Sequence, residues 1–216
     1  MDENVAKFSE KLKELLAMAK KKNMKVMLYS NGIGPLERKG NIKKTKKILD
    51  KVDLITLRDE RSYKTLHEIG IENKNVKVTA DPALDLDIAD EKLGKAILKN
   101  EGVPSDKKLL GVSVRKWQNL GSDFETQIAN ACDYAYEKYG YYTVFLPMQS
   151  SRDTAIMQNI KRKMKHESAI IKKRYSVEGM LSIIKCFDMC IGMRLHTLIY
   201  AAINSVPLIG LVYDPK

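Results

Sequence analysis

Cysteine is scarce in this chain: three in 216 residues, at Cys132, Cys186 and Cys190. An odd, scattered set builds no disulfide framework. Cys186 and Cys190 stand four apart, with no further Cys or His at zinc-ligand spacing. They read as buried structural thiols, and no metal site is predicted. Tryptophan occurs once and aromatics make up 7%. Basic runs such as Lys161-Arg162-Lys163-Met164-Lys165 have no aromatics interleaved, and neither an RNP-like strand nor a helix-turn-helix signal occurs, so nucleic acid is excluded as a partner. A full dinucleotide fingerprint and a P-loop are both missing. No apolar run reaches the roughly 18 residues needed to span a bilayer. Met1-Asp2-Glu3-Asn4 lacks the basic and apolar parts of a secretory signal. The resulting expectation is a cytoplasmic location.

Positive charge, by contrast, is abundant. The net charge is +11, and residues 1–50 hold 13 Lys/Arg against 6 Asp/Glu. Such a surface attracts phosphorylated substrates or anionic lipid headgroups, unless it is only a lysine-rich solvated face. Hydrophobic residues make up 44% and charged residues 30%, as in a globular α/β protein with a substantial core.

Periodicity supplies the organisation. Val5, Phe8, Leu12, Leu15, Leu16 and Ala19 mark one face of an opening helix. Strands are predicted at 25–30, 54–57 and 76–79, with helices at 41–50, 60–69 and 89–100. Glu101-Gly102-Val103-Pro104-Ser105-Asp106 is the strongest linker signal. Beyond it follow strands at 109–114, 141–147, 168–172, 187–191 and 206–212, alternating with helices at 122–139, 151–164, 176–184 and 194–204. Strictly alternating elements with apolar strands predict parallel sheets covered by helices on both faces. Two Rossmann-like units are therefore expected, 1–103 and 104–216. The first opens on a helix with only about three strands, and the second stops just after a strand. The expectation is an internal piece of a longer two-domain protein.

Ligands of open parallel sheets bind beyond the carboxyl ends of the strands. Those positions hold Asn31-Gly32-Ile33-Gly34-Pro35, Arg58-Asp59, Asp81-Pro82, Arg115-Lys116-Trp117, Pro147-Met148-Gln149, Gly192-Met193-Arg194-Leu195-His196 and Asp214-Pro215-Lys216. Cations at the ends of apolar strands predict an anion pocket. Plainer readings stand beside this one. Gly32 and Gly34 serve a strand-to-helix turn, Asp59 caps a helix with Arg58 in a surface ion pair, and Arg115 packs on Trp117. Arg194 and His196 resist a plain reading. Leu195, Leu198, Ile199, Ala202 and Ile203 form the buried stripe of their helix, which leaves both at its exposed amino-terminal lip. A cation there costs roughly 0.3 kcal/mol, and an external anion would compensate it. His67 and His166 are expected on solvated helical faces.

Taken in order, Gly32-Ile33-Gly34-Pro35, Arg58-Asp59-Glu60-Arg61-Ser62, Ala80-Asp81-Pro82-Ala83, Val112-Ser113-Val114-Arg115, Leu146-Pro147-Met148-Gln149, Gly192-Met193-Arg194-Leu195-His196 and Tyr213-Asp214-Pro215-Lys216 resemble the polysaccharide pyruvyl transferase family over nearly the whole chain. The resemblance implies a GT-B-like arrangement, with two Rossmann-type domains facing across a cleft. It implies transfer of a pyruvyl group from phosphoenolpyruvate to a hydroxyl pair of a saccharide, or of its lipid-linked precursor, with no cofactor. It places Arg194, His196 and Lys216 on the donor's carboxylate and phosphate, His196 and Arg194 being the catalytic candidates. Arg38, in the basic loop after Gly34-Pro35, is a further candidate on the facing domain. Gly32, Gly34, Arg58 and Arg115 complete the expected substrate-binding set. A lipid-linked acceptor would bring the protein to the anionic inner face of the membrane. Asn31 stands where the family more often has Gln. The family's Gly-Asp start and Gly-Gly-Gly loop are not found here. A nucleotide-sugar glycosyltransferase is the competing enzyme reading, with Glu178 as its ribose-binding candidate. A non-catalytic fragment or anion-binding scaffold is the third.

Overall fold

The computed structural model describes residues 2–34, 36, 38–117 and 120–213, with side-chain detail from residue 11 onward. It divides into two compact units, the first running to Pro82 and the second starting at Ala83.

In the first unit, helix α1 (Asp2–Lys21) leads into strand β1 (Met27–Asn31), helix α2 (Lys39–Leu49), strand β2 (Leu54–Leu57), helix α3 (Glu60–Glu68) and strand β3 (Val76–Val78). The strands form a parallel sheet in the order β1-β2-β3. Its core joins Leu16 of α1, Ile48 and Leu49 of α2, Ile55 and Leu57 of β2 and Leu66 of α3. Asp59 caps α3, its carboxylate accepting from the Ser62 N–H at 2.7 Å, as its place before Glu60 suggested. Gly70 follows that helix at φ +71°, a conformation in which a Cβ would be strained.

The second unit starts with a 3-10 turn and helix α4 (Glu91–Asn100). It continues through β4 (Lys108–Ser113), α5 (Phe124–Tyr139), β5 (Tyr141–Phe145), α6 (Ser150–Lys163), β6 (Ser168–Ile170), α7 (Val177–Lys185), β7 (Met189–Gly192), α8 (Leu195–Ile203) and β8 (Leu208–Gly210). The five strands are parallel in the order β6-β5-β4-β7-β8. Alternate residues of one strand face opposite sides, and each side has its own core. Leu109, Val144 and Leu146 pack with Leu181, Ile184, Ile199 and Tyr200, while Leu110, Val112 and Phe145 pack with Ile128, Cys132, Met157 and Ile160. Burial raises the thiol pKa of Cys132 to about 11 and of Cys190 to about 12. Cys186 is only half-buried, and its thiol donates to the Ser182 carbonyl at 3.4 Å.

The break between units differs from the expected one at 101–106. That segment is a helix stop inside the second unit: Gly102 has φ +79° and follows the C-cap of α4. Helix α4 packs on α7, and its Ile97 and Leu98 share a core with Leu181 and Ile184. Asn204 fastens the preceding segment as well, its side chain accepting from the Ala89 N–H and donating to the Leu181 and Tyr200 carbonyls. A Gly/Pro break in composition marks a turn as readily as a linker.

Candidate functional site

Sheet order locates the crevice of the second unit. From β4 the chain builds β5 and β6 on one side, then returns to place β7 and β8 on the other. The carboxyl ends of β4 and β7 therefore flank a topological switch point, where open parallel sheets bind ligands. Arg115 follows β4, and Arg194 and His196 follow β7. Ser113, the last residue of β4, organises this edge. Its carbonyl accepts from the Met193 N–H at 2.8 Å, and its hydroxyl accepts from the buried Thr197 hydroxyl at 3.0 Å. Gly192 closes β7 where a Cβ would come within 2.9 Å of Leu198 Cδ2, so a side chain there would push Leu198 aside.

Arg194 is the N-cap residue of α8, and its side chain makes no capping bond. It is not the exposed lip cation expected. Its Nη2 donates to Asp153 Oδ1 at 2.5 Å and to Gln149 Oε1 at 3.3 Å, and 16% of the side chain is exposed. Local helix geometry did not ask for an arginine, but a buried carboxylate from another element did. His196 is exposed, with its ring 6.1 Å from that of Tyr200. Arg115 lies over two aromatic rings, 5.0 Å from the centroid of Trp117 and 5.9 Å from that of Tyr213, which favours the cation. The Nε atoms of Arg115 and Arg194 are both buried without a hydrogen-bond partner. Buried unsatisfied donors of this kind call for a ligand or water.

The first unit holds the remaining candidates. Arg58 follows β2, its Nη1 reaching Asp81 at 3.1 Å and its Nε reaching Asp59 at 3.6 Å. The guanidinium lies against Gly32, where a Cβ would stand 2.6 Å from Nε. Gly34 has φ +113°. The Ile33 N–H between these glycines donates to Ser62 Oγ at 2.8 Å. Ser30 is held at φ +49°, strained for a residue with a Cβ. Its N–H donates to Thr56 Oγ1 at 2.7 Å, and its hydroxyl lies 3.1 Å from that of Thr79. Arg38 is exposed at the N-cap of α2. Lys216, Pro35 and the Asp214-Pro215 pair lie outside the described residues.

Sequence reasoning passed over Asp153 because a single Asp in the first turn of a helix reads as a capping residue. The sign that could have found it is the Gln149-to-Asp153 spacing directly after an apolar strand. His166 is not on a helix. It follows α6, stacks on Tyr136 at 4.1 Å between ring centroids, and meets Glu137 Oε1 at 3.1 Å. A cavity of about 670 Å³ lies at the amino-terminal ends of the first unit's strands, beside Lys20, Lys25, Asp53 and Asn75. None of the candidate site residues lines it. No helix among the described residues is long and apolar enough to cross a membrane.

The sequence model of the family described as polysaccharide pyruvyl transferase matches residues 5–215. Among curated proteins no relative matches. The fold is similar to that of S. aureus MnaA bound to UDP, at TM-score 0.65 and 13% identity, over 97% of this chain and 63% of that one. It is similar to Anabaena HepE in complex with UDP and glucose, at TM-score 0.64 and 9% identity, over 94% and 57%. The Methanocaldococcus jannaschii UDP-GlcNAc 2-epimerase, bound to UDP-GlcNAc and UDP, matches at TM-score 0.59 and 13% identity, over 93% and 63%. The fold class is α/β and GT-B-like, with two parallel-sheet units. The chain spans less than two thirds of the length of each of these structures.

Proposed function

Because the chain belongs to the polysaccharide pyruvyl transferase family, we propose that it transfers the pyruvyl group of phosphoenolpyruvate to two hydroxyls of a saccharide or lipid-linked saccharide, forming a cyclic ketal. The observation that carries this reading is the pair of arginines, each with a buried unpartnered Nε, at the ends of the two strands flanking the switch point. A carboxylate and a phosphate on one three-carbon skeleton suit two guanidinium groups, since arginine binds either anion in a planar, bidentate manner.

Protonation of the donor's methylene carbon leaves C2 oxocarbenium-like. One acceptor hydroxyl adds there and loses its proton. Phosphate departs with the C2–O electron pair, and the second hydroxyl closes the ring and loses its proton, so that the two hydroxyl protons balance those given to the methylene carbon and the phosphate. Arg115 and Arg194 bind the carboxylate and phosphate and stabilise charge as it develops on the leaving group. His196, exposed in the first turn of α8, donates a proton to the departing phosphate. Lys216 is assigned to the donor as a point charge. Gly32, Gly34, Arg58 and Arg38 are assigned to substrate binding from the first unit. No step in this scheme calls for a metal or cofactor. A lipid-linked acceptor would bring the basic surface to an anionic membrane face.

A nucleotide-sugar reading has one observation in its favour: the structures of similar fold were solved with UDP or a UDP-sugar bound. Glu178, exposed in the first turn of α7, would then take the ribose. Titration of the protein with phosphoenolpyruvate and with UDP-GlcNAc separates the two. Trp117, the sole tryptophan, reports occupancy of the site through its contact with Arg115. A fluorescence change that saturates with phosphoenolpyruvate is expected. Saturation by UDP-GlcNAc alone would favour the alternative. His196→Ala should abolish ketal formation while leaving the melting temperature nearly unchanged.

A further inference from the structure

Asp153 lies in the first turn of α6 and is fully buried, at 0% exposure. Its two oxygens do different work. Oδ2 accepts from the backbone N–H of Gln149, the N-cap residue, at 2.8 Å. Oδ1 accepts from Arg194 Nη2 at 2.5 Å. Capping a helix needs neither complete burial nor a cationic partner, and an ionised carboxylate is costly to bury unless paired. The charge of Asp153 is therefore committed to Arg194. Gln149 repeats the pattern: it makes no side-chain cap for α6, and its Oε1 lies 3.3 Å from the same Nη2.

These contacts fix Arg194 across the sheet. It leaves the chain after β7, while both partners stand after β5, and β4 lies between those strands. The guanidinium is thus strapped over the end of β4, the strand that Arg115 follows. Its Nε stays buried and unbonded while 16% of the side chain reaches solvent. Asp153 also cancels much of the charge that Arg194 would otherwise offer to any anion. An arginine held in one orientation with its charge offset discriminates by shape rather than by net attraction.

We propose that Asp153 is a positioning residue: it holds Arg194 in the orientation that receives the donor and so sets preference for a carboxylate-bearing phosphate over bare phosphate. The proposal rests on the pyruvyl-transfer reading above. The test uses the full chain and follows Trp117 fluorescence during titration with phosphoenolpyruvate and, separately, with inorganic phosphate. Asp153→Asn keeps the shape and removes the charge. Misaligning one guanidinium should weaken phosphoenolpyruvate binding about tenfold. Inorganic phosphate should bind as well as before or better, because a nearby negative charge is gone, so the ratio of the two affinities collapses. A merely structural role lowers the melting temperature and leaves that ratio alone. A folded Asp153→Asn protein with an unchanged ratio overturns the proposal. If circular dichroism shows that variant unfolded, Gln149→Ala takes its place, since it loosens Arg194 without stranding a buried charge. A fall in the ratio of roughly threefold is then expected for loss of this weaker restraint, and no fall overturns the proposal. Absence of phosphoenolpyruvate binding by the unaltered protein is a different result, and it sinks the pyruvyl-transfer reading itself.

Discussion

At Glu101, burial acts to raise the carboxyl pKa, yet the net shift is downward. The Lys172 N–H, the Tyr175 hydroxyl and the Lys173 N–H outweigh burial by bonding the ionised form. Tyr175 moves the other way, pushed up to about 12 by burial and by its bond to Glu101. A carboxylate whose folded pKa is depressed contributes stability above its ordinary value of 4.5, and that contribution is lost as pH falls through the lower folded value. Glu101→Gln should therefore lower stability at pH 7 by about 1 kcal/mol, a figure discounted for partial exposure. The deficit should shrink towards zero as the pH falls below that lower folded value. Urea denaturation of both proteins across that range measures it, and a pH-independent deficit would mean that the charge of Glu101 is irrelevant to the tether.

Helices α4 and α7 pack backbone against backbone at Gly94. Gly94 permits it, because a Cβ there would overlap the Ser182 carbonyl and crowd the Cys186 sulfur. Backbone cannot step aside as a flexible side chain can, so Gly94→Ala should cost about 3 kcal/mol through forced separation of the helices. Chemical denaturation checks this, with Gly40→Ala as the contrast, since nothing lies within 4 Å of a Cβ at Gly40. Alanine is favoured over glycine by roughly 0.5–1 kcal/mol in a helix interior, so in the first turn of α2 the contrast variant should lose no stability. Helix α8 shows a related economy. Its amino-terminal end is set by Ser113 and Thr197 inside the protein and by Asp153 through Arg194, so its orientation depends on contacts with β4 and α6.

For the whole molecule, the division at Pro82/Ala83 has a direct consequence. A polypeptide beginning at Ala83 keeps α4 on α7 and should unfold in one cooperative transition. One beginning at Pro104 strips Ile97 and Leu98 from their core, exposes the apolar face of α7, and should aggregate or melt without cooperativity. Calorimetry of the two fragments decides where the unit begins.

The alternation of strands and helices was legible in the chain because periodicity is a local property, and each predicted element is present with its ends shifted by a few residues. So were the cations at strand ends, since their neighbours in sequence are the strands themselves. The segment 101–106 reads as a linker in sequence because a helix stop, which it is, and a domain join draw on the same residues. What remained hidden was pairing at a distance. Nothing near Arg194 in sequence points to Asp153, which lies 41 positions earlier, or shows that β7 returns to the far side of β4. Sequence alone fixed which residues form strands and helices, because backbone preference and hydrophobic spacing act over a few residues. Only the tertiary structure decided which cation is strapped down and which stands exposed, because a buried charge takes its partner from whatever the folded sheet brings beside it.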